Sequence, residues 1–462
     1  MNNYKIVSSS FRDPSGFLFF HDNEIFRQIN SIYKSKYDHL MNSGLYENLV
    51  NKGFLIPHEE VDMPPPDPKN VYKIIKPEKI THISYPYEWS FSQLKNAALL
   101  TIEIQKIAMN FNMILKDCSA YNIQFQNGKP VLIDSLSFEK YIEGQTWQAY
   151  RQFCQHFLSP LALMCYKDIR LGQLLRIYID GIPLDLTSKL LPTHTKMMFS
   201  LLSHIHLHAK SQKHYEDKNI KIKNRKMNKN SFMGLIESLH SATKKMNWQP
   251  KGTEWAEYYS DTNYSESAFE EKKIIVSNFL EKIKPKFVWD LGANMGIFSR
   301  ISSKKGIQTI SFDIDPAAVE KNYLKCVEEN ENRILPLLLD LTNPSSSIGW
   351  ENQERLSFMQ RGPVDVIFSL ALVHHLAISN NIPFDRMAQF FAKICKFLLI
   401  EFVPKSDSQV SRLLKNRDDI FSDYTQEKFE EEFNKYFTIL ESIRLKDSKR
   451  IIYTFEKREK FE

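Results

Sequence analysis

FVWDLGANMG, Phe287 to Gly296, is the stretch whose reading decides the fold. Apolar and aromatic residues lead into Asp290, and a turn containing Gly292, Asn294 and Gly296 follows. An amphipathic run, Ile297 to Ser303, comes next. The pattern predicts a buried strand, a tight turn and the start of a helix. Gly292 and Gly296 let backbone approach a ligand closely, and Asn294 is the non-glycine residue that best tolerates positive φ. The helix N-terminus beyond offers unpaired N–H groups and the positive end of a dipole.

Downstream, IQTISFD (Ile307 to Asp313) reads as a second strand ending in an acid. That is the place of a ribose-binding carboxylate in a dinucleotide-type α/β fold. The turn, however, reads Asp-x-Gly-x-Asn-x-Gly rather than Gly-x-Gly-x-x-Gly. A carboxylate two residues ahead of the first glycine would face a pyrophosphate badly; it suits a ligand with a cationic amino group and no phosphate. In these residues the stretch resembles motif I of the class I S-adenosylmethionine-dependent methyltransferases, whose loop is acidic-x-Gly-x-Gly-x-Gly. Asn294 stands at the middle glycine. An ordinary strand–turn–helix of a Rossmann-like core and a nicotinamide dinucleotide site are the alternatives.

Outward from the motif, strand and helix patterns alternate. Strands are expected at 286–291, 307–313, 334–339, 364–370 and 397–402, and helices near 296–304, 316–328, 383–396 and 406–417. Phe437–Ile443 and Arg450–Glu456, split by Lys446-Asp447-Ser448, read as a hairpin. A helix is expected from Ser265 to Ile283, preceded by EWAEYYSDTN (Glu254–Asn263). The fold class is therefore α/β in this half: a Rossmann-like sheet of β-α units closed by an antiparallel hairpin. The methyltransferase fold shows that closure and a dehydrogenase does not.

The resemblance implies roles residue by residue. Asp290 would meet the cofactor's amino group, and Gly292, Asn294 and Gly296 would give backbone access to its methionine and ribose. Asp313 would take the ribose hydroxyls; Asp315, preceding Pro316, suits a helix N-cap. Asp340 matches the family's adenine-edge acid, with a turn acid as the alternative. The segment 254–263 would lid the cofactor or form a surface aromatic patch. At the end of the fourth strand Ser369-Leu370-Ala371-Leu372 replaces the Asp/Asn-Pro-Pro-Tyr signature of enzymes that methylate exocyclic base amines, which disfavours that chemistry. His374, His375 and Glu401 are the candidate bases. Each has a plain structural reading beside it: fold-typical histidines and a core-edge acid.

In the N-terminal half, Phe17–Phe20 and Ile25–Ile29 around His21-Asp22-Asn23 read as a hairpin. Ser90 reads as the N-cap of a long helix ending near Asn112. Trp147–Arg176 reads as helical core. Leu115 to Asn122, LKDCSAYN, places Asp117 and Asn122 as Asp-x-x-x-x-Asn, and Val131-Leu132-Ile133 ends at Asp134 after a turn at Asn127-Gly128. This resembles the catalytic loop and metal-binding strand of protein-kinase-like phosphotransferases. Leu115-Lys116 replaces His-Arg, Ser135-Leu136 replaces Phe-Gly, and no glycine-rich phosphate loop is visible; Lys73 and Lys76 are the candidate strand lysines. A degenerate kinase-like fold, a working phosphotransferase and an unrelated α+β module stay open. Asp117, Asn122 and Asp134 form the possible nucleotide site. SFRDPSGF (from Ser10), YPYEWSFSQLK (from Tyr85), LKDCSAYNIQF (from Leu115) and YRQFCQHFLSPLAL (from Tyr150) resemble, over nearly the full length, a bacterial family of methyltransferases, some of them called nodulation proteins. In SHIHLH, His204, His206 and His208 have no carboxylate at ligand spacing, so no metal site is expected.

With 462 residues, 42% hydrophobic and 25% charged, the chain is long enough for two or three globular domains. Its net charge of +6 is uneven: Lys210–Thr253 carries 11 Lys/Arg against 3 Asp/Glu, and the remainder 50 against 52. That basic stretch reads as a solvated linker or exposed helical face, with RNA or anionic membrane as possible partners. No window approaches a membrane span, and MNNYKIVSSS has no apolar h-region. Five cysteines without a CxxC pair suit a reducing cytoplasm. The expected organisation is an α+β kinase-like accessory domain (1–209), a basic linker (210–253) and a class I methyltransferase domain (254–462). The expected function is S-adenosylmethionine-dependent O- or C-methylation of a small-molecule, glycan or lipid-linked acceptor. Phosphotransfer or nucleotide binding by the N-terminal half, or non-catalytic binding, are the alternatives.

Overall fold

A computed structural model of the chain describes residues 4–210, 227–251, 264–415 and 418–459. These form two compact units, 1–249 with 348–355, and 250–347 with 356–462. No helix of the described residues is long and apolar enough to cross a membrane.

The first unit opens with a five-stranded antiparallel sheet ordered Lys5–Ile6, Gly16–His21, Glu24–Asn30, Val71–Pro77, His58–Val61. Its hairpin turns on Asp22-Asn23, both at positive φ (49° and 64°), the backbone of the two-residue turn that matches strand twist. Asn127-Gly128, at 51° and 76°, does the same between Ile123–Gln126 and Lys129–Leu132. The long helix spans Phe91–Asn110. Ser90 accepts from the Gln93 N–H while the Gln93 side chain accepts from the Ser90 N–H at 2.8 Å, a reciprocal cap. The stretch 147–176 is not one helix. It breaks into Tyr150–Phe153, a π turn at Cys154–Leu158, and Ser159–Tyr166. Pro160 has no N–H for the carbonyl four residues earlier, which favours the bulge there. Segment 348–355 joins this unit through Glu354, which accepts two hydrogen bonds from Arg12 at 2.7 and 2.6 Å.

Part of the stretch expected as a basic linker is ordered structure. Residues 211–226 and the expected lid 254–263 lie outside the described residues. Lys229–Lys245, however, is a helix that belongs to the first unit. Phe232, Ile236, Leu239 and Thr243 recur at helical spacing on its buried face, so apolar burial binds it despite the surrounding charge. Lys106 pairs with its Glu237 at 2.6 Å.

The second unit is a seven-stranded sheet, numbered here within the unit: β1 Phe287–Leu291, β2 Gln308–Asp313, β3 Ile334–Leu338, β4 Val364–Ser369, β5 Cys395–Phe402, β6 Phe437–Arg444 and β7 Ile451–Lys457. The spatial order is β3-β2-β1-β4-β5-β7-β6. β1 to β5 are parallel; β7 runs antiparallel to β5 and β6 antiparallel to β7. Helices α1 (Glu266–Ile283), α2 (Ile297–Lys304) and α3 (Pro316–Glu328) flank the first strands. Parallel strands buried on both faces need near-continuous apolar runs, and Val288, Val366, Phe368 and Leu399 supply them against Val276 and Leu280 of α1. Strand order reverses between β1 and β4. In an open sheet that places the ligand crevice beyond the carboxyl ends of these strands.

Candidate functional site

A cavity of about 280 Å³ lies at those ends. After β1 the chain turns at Gly292 (φ 75°), Asn294 (φ 48°) and Gly296 (φ 73°) before α2 begins. The Gly292 and Ala293 N–H groups both donate to the Phe312 carbonyl at 2.9 Å, pinning the loop against β2. The Asn294 N–H donates to Asp313 Oδ2 at 2.7 Å. Asp290, Gly292, Asn294, Asp313 and Asp340 line the cavity. Gly296 does not. A Cβ there would meet the Asn322 amide at 2.7 Å, so its missing side chain lets α2 approach α3.

Three carboxylates differ in how they are held. Asp290 accepts from Ser299 Oγ at 2.6 Å, and Ser299 accepts from Ser311 Oγ at 2.6 Å. Burial pushes Asp290 up to about 7; the Ser299 hydroxyl opposes that and the nearby Asp313 adds to it. Asp313 accepts one backbone N–H on each oxygen, Asn294 at 2.7 Å and Asp315 at 2.9 Å. Burial still lifts it to about 6, against those two bonds. Asp340 accepts from the Thr342 N–H and hydroxyl at 2.8 and 2.6 Å, closing its own turn. Asp315 caps α3 through the Ala317 and Ala318 N–H groups at 2.8 and 3.2 Å.

The candidate bases separate. His375 lines the cavity, and burial lowers it to about 4, so its imidazole is neutral at pH 7. His374 is 2% exposed and not among the cavity-lining residues, and its Nδ1 has no hydrogen-bond partner among the described residues. Glu401 is fully buried and also not among them. Its oxygens take Lys272 Nζ at 2.6 Å, the Tyr264 hydroxyl at 2.5 Å and the Ala371 N–H at 2.8 Å, with Arg450 at 3.7 Å. Burial alone would raise Glu401; the Lys272 and Arg450 cations outweigh it and hold the carboxyl below its usual range. Arg450 in turn pairs with Asp407 at 2.8 Å. Glu401 thereby braces the turn after β4, where Ala371 has φ 52°.

Lys272, Tyr264 and Arg450 were missed by sequence reasoning, although Lys272 and Tyr264 line the cavity. One signal was present. Lys272 falls on the buried stripe of α1 with Ala268, Ile275, Val276 and Phe279, and a lysine on an apolar stripe is out of place unless paired.

In the first unit, the structure brings Asp117, Asn122 and Asp134 into one network. The Ser137 hydroxyl donates to Asp134 Oδ2 at 2.7 Å and accepts from Asn122 Nδ2 at 3.2 Å. Asp117 accepts from the Ser119 N–H at 2.9 Å and Gln152 Nε2 at 2.8 Å. Burial raises Asp117, with Asp134 adding to it. Arg27 on the strand Glu24–Asn30 ion-pairs with Asp134. Burial alone would raise Asp134; the guanidinium, with the Ser137 hydroxyl and the Leu136 N–H, outweighs it. Lys73 and Lys76 instead pair with Glu60 and Glu24 at the surface. Lys116 pairs with Asp13 at 3.2 Å. The histidines of SHIHLH pack within the unit: His204 contacts Tyr150 and Ser238 at 2.7 and 2.8 Å, His206 contacts Ser188 and Thr195 at 2.8 and 3.0 Å, and His208 stacks on the Tyr150 ring with centroids 5.0 Å apart.

Parallel strands in the order 3-2-1-4-5, an antiparallel seventh strand inserted beside the fifth, and acids at the ends of β1 and β2 are the α/β fold of the class I methyltransferases. Over 467 aligned residues the chain is 33% identical to the nodulation protein NoeA of Rhizobium meliloti (strain 1021), spanning 98% of this chain and 96% of that protein. The chain belongs to that nodulation-protein family. No protein-family profile matches it. Among solved structures it is similar to magnesium protoporphyrin IX methyltransferase (ChlM) from Synechocystis PCC 6803 with bound SAH. The identity is 15%, over 44% of this chain and 93% of that one, with a TM-score of 0.32. It is also similar to the bifunctional kinase-methyltransferase WbdD, at 13% identity over 43% and 41% of the two chains and a TM-score of 0.29.

Proposed function

We propose that the second unit is an S-adenosylmethionine-dependent methyltransferase acting on a hydroxyl or carbon nucleophile of a small-molecule, glycan or lipid-linked acceptor. The observation that carries this reading is the donor set of the cavity. Asp290 and Asp313 are buried carboxylates with raised pKa, and a ligand bearing an ammonium and a ribose diol answers both. Asp290 would hold the cofactor's α-ammonium, Asp313 its ribose hydroxyls and Asp340 its adenine edge. The bound cofactor supplies an electrophilic methyl group. The chain's part is positioning, residues 292–294 of the turn and the braced turn at Ala371 forming part of the cavity wall. His375, neutral and lining the cavity, is the group that takes a proton from an acceptor hydroxyl, worth roughly 10²–10⁴-fold. Calorimetric titration of the full chain with S-adenosylmethionine and S-adenosylhomocysteine tests the reading. Micromolar binding supports it, and no binding by folded protein overturns it.

A second reading concerns the first unit. The network that joins Asp117, Asn122 and Asp134 through the Ser137 hydroxyl supports nucleotide binding there. Protection of the unit from thermal unfolding by ATP with magnesium, lost in Asp117→Ala, supports it. Absence of any ATP effect on the intact chain overturns it.

A further inference from the structure

The ion-pair cluster beside the cavity has a member that internal pairing does not use up. An ammonium has three donors, and among the described residues Lys272 Nζ spends two, on Glu401 Oε2 at 2.6 Å and the Tyr264 hydroxyl at 3.0 Å. Among the described residues, Nζ also lies 4.8 Å from the centroids of the Tyr264 and Phe298 rings, and Lys272 lines the cavity. Of the described cavity-lining residues, Lys272 is the one lysine or arginine, among the carboxylates Asp290, Asp313 and Asp340. Lys272 and Asp290 are near enough to act on each other electrostatically: each shifts the other's titration. An amino-acid zwitterion carries its ammonium and carboxylate on one carbon. A site that grips both needs a buried anion and a buried cation facing one cavity, and Asp290 and Lys272 are both buried and both line this one.

We propose that Lys272 is the receptor for the α-carboxylate of the cofactor's methionine moiety, completing a zwitterion clamp with Asp290. This rests on the methyltransferase reading above and assigns a residue that neither the motif nor the strand ends predict. Glu401 and Tyr264 are positioning residues. They hold the ammonium at the cavity wall, and Glu401 keeps it charged against burial. A dry, preset ammonium is also a reason for the fold to keep a buried ion pair that apolar packing could replace.

The test uses three probes on the full chain: S-adenosylmethionine, its decarboxylated form and 5′-methylthioadenosine. Each is titrated into wild type, Lys272→Met and the double variant Lys272→Met/Glu401→Gln, in which no charge of the pair is left alone. Wild type is expected to bind S-adenosylmethionine at least roughly tenfold more tightly than the decarboxylated form, as for a hydrogen bond between charged groups. Both variants are expected to lose that preference while binding the decarboxylated form and methylthioadenosine within about threefold of wild type. A variant that keeps the preference, or loses all three probes alike, overturns the assignment. Wild type that binds S-adenosylmethionine without preferring its carboxylate overturns Lys272 alone. Wild type that binds none of the three overturns the methyltransferase reading, and Lys272 with it.

Discussion

Each unit gathers carboxylates into one place, and Asp134 of the first is held in the opposite way to Asp290 and Asp313 of the second. In the first, Asp134 meets the Arg27 guanidinium and its pKa falls. In the second, Asp290 and Asp313 are hydrogen-bonded by neutral donors, a serine hydroxyl and backbone N–H groups, and their pKa values rise to about 7 and 6. Burial penalises charge in both places. What differs is whether the chain supplies a directly bonded cation. A carboxylate already matched is part of the fold's own electrostatics. One held by neutral donors beside a cavity keeps its charge for a ligand's donors, an ammonium at Asp290 and hydroxyls at Asp313 on the proposed reading.

The largest effect that sharpens this contrast is on stability. Asp134→Ala leaves the Arg27 guanidinium, 9% exposed, without its anion, and is expected to destabilise the protein by about 3 kcal/mol. A denaturant midpoint measures this, and S-adenosylmethionine affinity should stay within error of wild type. Unchanged stability would break the contrast at its first-unit end. Next comes Asp313→Ala, which on the proposed reading removes charged hydrogen bonds to the ribose and should weaken cofactor binding by roughly 1.5–3 kcal/mol. Calorimetry reads it directly; near-wild-type affinity would mean that Asp313 only braces the Asn294 loop.

A smaller effect is pH dependence. Asp290 must be ionised to hold an ammonium, and its carboxyl titrates at about 7. Affinity should therefore fall as pH drops through 7, by about tenfold between pH 8 and pH 6. Binding near pH 7 should also release protons, visible as a dependence of the calorimetric heat on buffer ionisation enthalpy. A flat profile would show that Asp290 is already matched. The smallest effect is expected for Asp340→Asn, about 0.5–1 kcal/mol in cofactor affinity, because an amide oxygen still closes the turn onto Thr342.

Much of the second unit was legible in advance because its signals are local. An apolar run ending in Asp290, glycines at positive φ and a second run ending in Asp313 state strand, turn and strand within a few residues of each other. β2, β4 and the closing hairpin lie where the alternation put them, within two residues. The helix Lys229–Lys245 was legible too, through Phe232, Ile236 and Leu239, but its charge drew attention away from that spacing. The site was legible only at strand ends. Nothing local separates His374 from His375, yet one is sealed in the core and the other faces the cavity.

By itself, the sequence determined the order of strands and helices, the left-handed turn after β1 and the acids that close β1 and β2. These follow from backbone preferences and apolar periodicity, which act over a few residues. The tertiary structure decided which charges meet: Arg27 with Asp134 across 107 residues, Lys272 with Glu401 across 129, Tyr264 with Glu401 across 137. The reason is physical. A buried charge is tolerable only beside a partner that packing delivers, and in a low-dielectric interior a shift of a few ångströms changes that pairing by more than any local preference is worth.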